Sequence, residues 1–244
     1  VYIAHCGDNQ ALIMDGDAWD VLPTFPDNHF DQIITDPPYT AVDKQMQTGT
    51  TRSRNQNGGW DFKTKDLDEE ILRELYRVLK PGGHMFVFMP AAARTQYGDT
   101  DEYNYRQKQL AMSVGFWYNR TWIWDKKIPG MGYRGRARYE PIYFYSKGKP
   151  HNMGGFKTKP NPQHYVHDIL EAPRPNPRTK LHQTEKPTAI LADMLQFGSE
   201  EGDLILDPFA GALGLAEACL KTGRNAVCIE LEQENIQTGL TRFD

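Results

Sequence analysis

Apolar residues along the chain fall into two arrangements. The run Ala11-Leu12-Ile13-Met14 leads into Asp15-Gly16-Asp17, and Asp31-Gln32-Ile33-Ile34-Thr35 ends at Asp36-Pro37-Pro38-Tyr39. Short apolar runs closed by turn residues predict strands buried on both faces. From Asp66 the spacing turns helical: Leu67, Ile71, Leu72, Leu75, Val78 and Leu79 share one side, Asp68, Glu69 and Glu70 stand in the first turn, and Lys80-Pro81-Gly82-Gly83 ends the helix. His84 to Met89 predicts the next strand. A second group repeats the alternation: a helix over 187–197, a strand Asp203-Leu204-Ile205-Leu206, a helix from about Leu213, a strand Ala226-Val227-Cys228-Ile229 ending at Glu230, and a last helix. Strand and helix in alternation predict an α/β fold, a mostly parallel sheet with helices on both faces and one antiparallel strand.

Two stretches break the pattern. Residues 40–65 are polar and follow neither period, which predicts a loop hanging from the strand end after Tyr39 and able to close over a substrate. Residues 91–180 mix aromatic and basic side chains and become proline-rich from Pro160 to Pro177. The aromatics of 139–146 suit the sheet, while 125–138 and 147–180 read as inserted loops. The expected organisation is one catalytic domain formed by 1–90 and 181–244, with 91–180 partly inserted.

Charge sharpens that division. The net charge of −4 is uneven, for residues 118–180 hold 13 Lys and Arg against 4 Asp and Glu. Lys126, Lys127, Arg134, Arg136 and Arg138 are candidates for contacts to a phosphate backbone, with aromatic neighbours able to stack on bases. Three scattered cysteines fit neither a disulfide framework nor a metal site. No apolar run is long enough to span a membrane, and no leader pattern is visible in a chain that begins at Val1, so a cytoplasmic protein is expected.

The sharpest chemical signal is Asp36-Pro37-Pro38-Tyr39 at a strand's carboxyl end, the edge at which open α/β sheets bind ligands. Pro38 keeps Pro37 extended, and neither proline has an N–H, so the Pro37 carbonyl stays free to accept a hydrogen bond. An exocyclic amine on a base is a poor nucleophile because its lone pair is shared with the ring. Two acceptors, the Asp36 carboxylate and the Pro37 carbonyl, can hold the two N–H groups out of the ring plane and aim the nitrogen at a methyl donor. Tyr39 offers a flat face to a base taken out of a helix.

With these residues the chain resembles the amino-methyltransferases of DNA, in the group where the catalytic motif precedes the cofactor motif. Gly16-Asp17, Asp31 through Tyr39, Leu79 through Gly83, His182-Gln183-Thr184-Glu185-Lys186-Pro187 and Asp207-Pro208-Phe209-Ala210-Gly211 occur in that group's order over about two thirds of the chain. The resemblance implies a Rossmann-like methyltransferase fold and S-adenosylmethionine as cofactor. It implies double-stranded DNA with a flipped base as substrate, and it admits a homodimer and a place in a restriction-modification pair. It places Asp36, Pro37, Pro38 and Tyr39 at the reacting amine, Asp17 and Ala18 by the cofactor adenine, and Thr184 and Lys186 by the methionine carboxylate. Asp207, Phe209 and Gly211 fall around the methionine, with Asp207 near its ammonium, and Glu230 on the ribose hydroxyls. Adenine is favoured over cytosine because Asp leads the tetrapeptide.

One departure stands out: the family's second glycine is replaced by Leu213, with Gly214 one residue late. Either the turn is redrawn around Gly214 or the cofactor binds more weakly. Cytosine-N4 methylation, and a DNA-binding relative without catalysis, therefore stay open. RNA- or protein-amide methylation is disfavoured by motif order.

Overall fold

A computed structural model describes residues 1–39, 66–91, 100–128, 136–148, 167–175, 181 and 185–243. The expected loop 40–65, Arg134, Thr184 and most of 147–180 lie outside the described residues. Among the described residues nine strands form one sheet: β1 (Tyr2–Cys6), β2 (Asn9–Asp15), β3 (Phe30–Thr35), β4 (Leu79–Phe88), β5 (Phe116–Asp125), β6 (Tyr139–Lys147), β7 (Ile169–Glu171), β8 (Leu204–Asp207) and β9 (Asn225–Glu230). Their order across the sheet is β1-β2-β9-β8-β3-β4-β6-β5-β7. Strands β2, β9, β8, β3 and β4 are parallel neighbours.

Six α-helices complete the described layers: α1 (Ala18–Val21), α2 (Glu69–Val78), α3 (Thr100–Val114), α4 (Thr188–Gly198), α5 (Gly214–Lys221) and α6 (Gln233–Leu240). Successive residues of one strand point to opposite faces, so the sheet feeds two cores. Ile34, Phe86, Phe88, Ile205 and Cys228 pack with Ile190, Leu191, Met194 and Leu195 of α4 and with α5 and α6. Their neighbours Ile33, Met85, Val87, Leu206 and Val227 pack with Ile71, Leu72, Leu75 and Val78 of α2 and with α3. Helix α2 begins where Asp68 accepts from the Ile71 N–H at 3.0 Å, and its acids Glu69 and Glu70 sit at the positive end of the helix dipole.

The sheet differs from expectation in two ways. Two strands run antiparallel to the main body, β6 and also β1, whose short exposed pattern pairs with β2 through a tight turn at Gly7. Strands β5, β6 and β7 of 91–180 also belong to the sheet, and α3 packs on it: α3 and β5 were not foreseen, and β6 was expected over nearly its observed span. Helix α3 hid because it is polar, with Tyr103, Asn104 and Ala111 its only buried residues.

Candidate active site

The parallel strands end together. Asp15 at the end of β2 is paired with Glu230 at the end of β9, Asp207 at the end of β8 is paired with Cys228 of β9, and Asp36 directly follows β3 beside β8. The backbone ties the edge closed, with Gly16 N donating to Glu230 O at 3.0 Å and Ala210 N to Ile229 O at 2.9 Å. Three acidic side chains, Asp36, Asp207 and Glu230, thus stand on one edge of the sheet, where ligands of open α/β folds bind.

Asp36 is held from both sides. Its Oδ1 accepts from the Tyr39 hydroxyl at 3.0 Å, and its Oδ2 lies 2.6 Å from Lys186 Nζ. The Tyr39 hydroxyl also contacts the Phe88 carbonyl, its ring meets Tyr103 edge-on at 6.4 Å, and burial followed by the Asp36 charge pushes its pKa well up. Lys186 has a second carboxylate, Glu140 Oε2 at 3.2 Å, and Glu140 in turn is ion-paired with Lys126. Phe88 and Trp124 place their ring faces 4.9 and 6.0 Å from the Lys186 ammonium. Burial alone would lower the Lys186 pKa, but Asp36 and Glu140 outweigh it and raise it. Burial likewise pushes Glu140 up, and Lys186 and Lys126 more than reverse this, so Glu140 stays charged. The result is a charge-balanced set, two carboxylates alternating with two ammoniums.

Among the described residues Asp207 has no such cation. Its carboxyl is buried and pushed up to about 7, first by burial and then by the Asp36 and Glu230 charges, with the Phe209 N–H at 3.1 Å opposing. Glu230 Oε2 accepts from Gly211 N at 2.7 Å, while Oε1 accepts from Glu232 N at 3.0 Å and Asn235 Nδ2 at 3.1 Å. The turn between β8 and α5 passes Gly211 at φ +50° and Leu213 at φ +59°. The backbone therefore keeps a left-handed residue where the resemblance expects glycine and does not redraw itself around Gly214, which opens α5.

The remaining expected residues are distributed unevenly. Asp17 caps α1, accepting from Trp19 N at 3.0 Å, and Ala18 is buried in the core, so any contact from Ala18 is through its backbone. Phe209 packs against Trp19 with ring centroids 5.7 Å apart. Lys186 sits on Asp36 and Glu140. Lys126 corrects the sequence reading: it is 6% exposed, paired with Glu140 and over the Trp124 ring, so it faces inward and is not available to a phosphate. Lys127 pairs with Glu171 at 2.5 Å and Arg138 with Asp125, both at the surface; Arg136 is exposed. The four acids of residues 118–180, Asp125, Glu140, Asp168 and Glu171, all engage basic residues of the same segment, and the excess of 13 Lys and Arg over 4 acids there is unchanged by that pairing.

Glu140, Trp19 and Tyr103 were missed. Glu140 carries a weak signal, a lone acid opening an aromatic strand in a basic segment; Trp19 and Tyr103 carry none that periodicity could reveal.

The edge suits a cationic ligand. A carboxyl as buried as Asp207, with no partner cation among the described residues and two more acids nearby, is relieved by a positive charge placed beside it, and S-adenosylmethionine carries two, an ammonium and a sulfonium. The Gly211 turn gives close backbone approach, and the Trp19–Phe209 pair gives an aromatic wall.

Comparison with known proteins agrees. The model of the DNA methylase family (N6/N4 type) matches residues 30–240. The chain is 30% identical over 239 residues to the type II methyltransferase M.HpaI of Haemophilus parainfluenzae, covering 91% of this chain and 71% of that protein. It is 27% identical over 269 residues to the DNA adenine methyltransferase YhdJ of Escherichia coli K12, covering 98% and 84%. The solved complex of M1.HpyAVI with S-adenosylmethionine shares the fold with a TM-score of 0.70 at 21% identity, over 96% of this chain and 99% of that one. The cytosine-N4-specific PvuII DNA methyltransferase superposes with a TM-score of 0.69 at 17% identity, over 96% and 86%. With its family model spanning most of the sequence and a relative 30% identical over 91% of its length, the chain belongs to the S-adenosylmethionine-dependent N6/N4 DNA methyltransferases.

Proposed function

We propose that the protein methylates the exocyclic N6 amine of adenine in duplex DNA, with the target base turned out of the helix and stacked on Tyr39. The observation that carries this reading is the Asp36 carboxylate, fixed by the Tyr39 hydroxyl and Lys186 at the sheet edge it shares with Asp207. A carboxylate has about four lone-pair positions, so these two contacts leave room for an amine N–H. S-adenosylmethionine supplies the electrophilic methyl when bound.

Asp36 and the Pro37 carbonyl accept the two amine hydrogens and draw the nitrogen lone pair away from the ring. As the N–C bond forms and the donor's S–C bond breaks, the nitrogen becomes positive. The Asp36 carboxylate stabilises that charge and takes the proton the nitrogen gives up. Lys186, itself held by Glu140, keeps Asp36 in place. On the cofactor side, Asp207 receives the ammonium, Gly211 and Phe209 line the methionine and adenosine, Glu230 offers its carboxylate to the ribose, and Asp17 with the Ala18 backbone borders the adenine. Adenine is favoured by Asp at the head of the tetrapeptide. The exposed Arg136, with Arg134, Lys127 and Arg138, is the proposed backbone contact; two such chains acting as a dimer would suit a duplex.

The test is transfer of labelled methyl from S-adenosylmethionine to mixed-sequence duplex DNA followed by nucleoside analysis. N6-methyladenine is expected. N4-methylcytosine would overturn the base assignment, and DNA binding without transfer would overturn catalysis.

A further inference from the structure

The turn from Asp207 to Gly214 has a leucine in a left-handed conformation: Leu213, φ +59°, with its side chain fully buried. A Cβ there crowds the following carbonyl, so the conformation persists only where surrounding structure enforces it. Helix α6 and the residues after it enforce it twice. A Cβ on Gly239 would stand 2.6 Å from Leu213 Cγ and 2.8 Å from the Ala212 carbonyl carbon, so the helix seats directly on the turn only because position 239 has no side chain. Three residues on, Arg242 Nε donates to the Ala212 carbonyl at 2.6 Å.

The same guanidinium reaches further. Its Nη1 lies 2.8 Å from Glu217 Oε2 on α5, whose N–H donates to Leu213 O at 3.2 Å, and its Nη2 lies 3.0 Å from Glu185 Oε1. Glu185 immediately precedes Lys186, the residue on Asp36. The Arg242 side chain is 8% exposed, so these contacts are made away from water. One planar fork, which lysine cannot reproduce, thus joins the turn, the helix leaving it and the segment that restrains Asp36.

We infer that Arg242 is a positioning residue for the cofactor turn, holding Leu213 in the backbone geometry that glycine adopts unaided, with Gly239 as the point of close approach. This rests on the reading that the turn receives S-adenosylmethionine. It accounts for the tolerance of Leu213: the C-terminal helix supplies the constraint that makes a leucine workable there.

The experiment is calorimetric titration of S-adenosylmethionine into the native protein, Arg242→Gln, Arg242→Lys, Leu213→Gly and the two double variants. Each is held well below its own melting temperature, with Tm recorded in parallel. Both Arg242 substitutions are expected to weaken binding tenfold or more in the native background and less than threefold beside Leu213→Gly. Arg242→Lys keeps the charge, so the test stands if Arg242→Gln fails to fold. Equal weakening in both backgrounds, or a lowered Tm with unchanged affinity, would overturn the inference and leave Arg242 as ordinary packing. A native protein that binds no S-adenosylmethionine would overturn the cofactor reading of the turn, and this inference with it.

Discussion

Asp207→Asn separates what the buried carboxylate costs the fold from what it gives the cofactor site. The folded protein holds the Asp207 proton up to about pH 7, against an ordinary value of 3.8. Between those values the folded chain retains a proton that the unfolded chain has released, so stability falls as pH rises through this window and levels off above about 7. Three pH units at about 1.4 kcal/mol each make the penalty about 4 kcal/mol at pH 8. Asparagine keeps an acceptor for the Phe209 N–H and carries no charge. The variant is therefore expected to be more stable than the native protein by about 2–4 kcal/mol at pH 8, with the advantage vanishing near pH 4. Cofactor affinity moves the other way, because the ammonium loses a charged partner worth about 2–3 kcal/mol, which is roughly 30- to 150-fold in Kd. Urea unfolding of both proteins from pH 4 to 8, with and without S-adenosylmethionine, reads both effects. A difference between the two proteins that does not change with pH would refute the reasoning.

Three further expectations follow from the same geometry. Glu140→Gln leaves Lys126 and Lys186 facing Asp36 alone, a buried surplus of one positive charge; stability should fall by about 3 kcal/mol and kcat with it, and denaturation beside steady-state kinetics would show an intact Tm if the charge set is not coupled. Tyr39→Ala should harm methylation of a paired target more than of a mismatched one, since it removes the stacking face for the extruded base; equal losses on both duplexes would contradict that role. Lys126→Gln should leave the salt dependence of DNA binding unchanged because that ammonium is turned inward, whereas Arg136→Ala should lower the slope by about one; binding titrations across salt concentrations decide between them.

The five parallel strands and the helices between them were legible because their burial is two-sided or strictly periodic: Ile33-Ile34 and Leu75-Val78 announce where they go. Strand β5 was not, since it is half-exposed and an irregularity between Tyr118 and Arg120 breaks its alternation, and α3 was not, since it buries little. At the site, Asp36, Asp207 and Glu230 could be placed at one edge from their positions after strands. The partners of Lys186 and Lys126 could not be read, because Glu140 lies 46 residues from Lys186 and only the antiparallel pairing of β6 with β4 and β5 brings it there. The fate of Leu213 was equally out of reach, for it is decided by Gly239 and Arg242 at the far end of the chain.

The proposed methyl transfer depends on Asp36 acting at the target amine. Its most direct test is Asp36→Ala, with S-adenosylmethionine affinity and methyl transfer to duplex DNA measured on the same preparation. Transfer should fall by at least a factor of about a thousand, the scale expected when an acceptor used in the transition state is lost, with Kd for the cofactor changed less than about threefold. Sustained transfer, or loss of cofactor binding in step with activity, would contradict it.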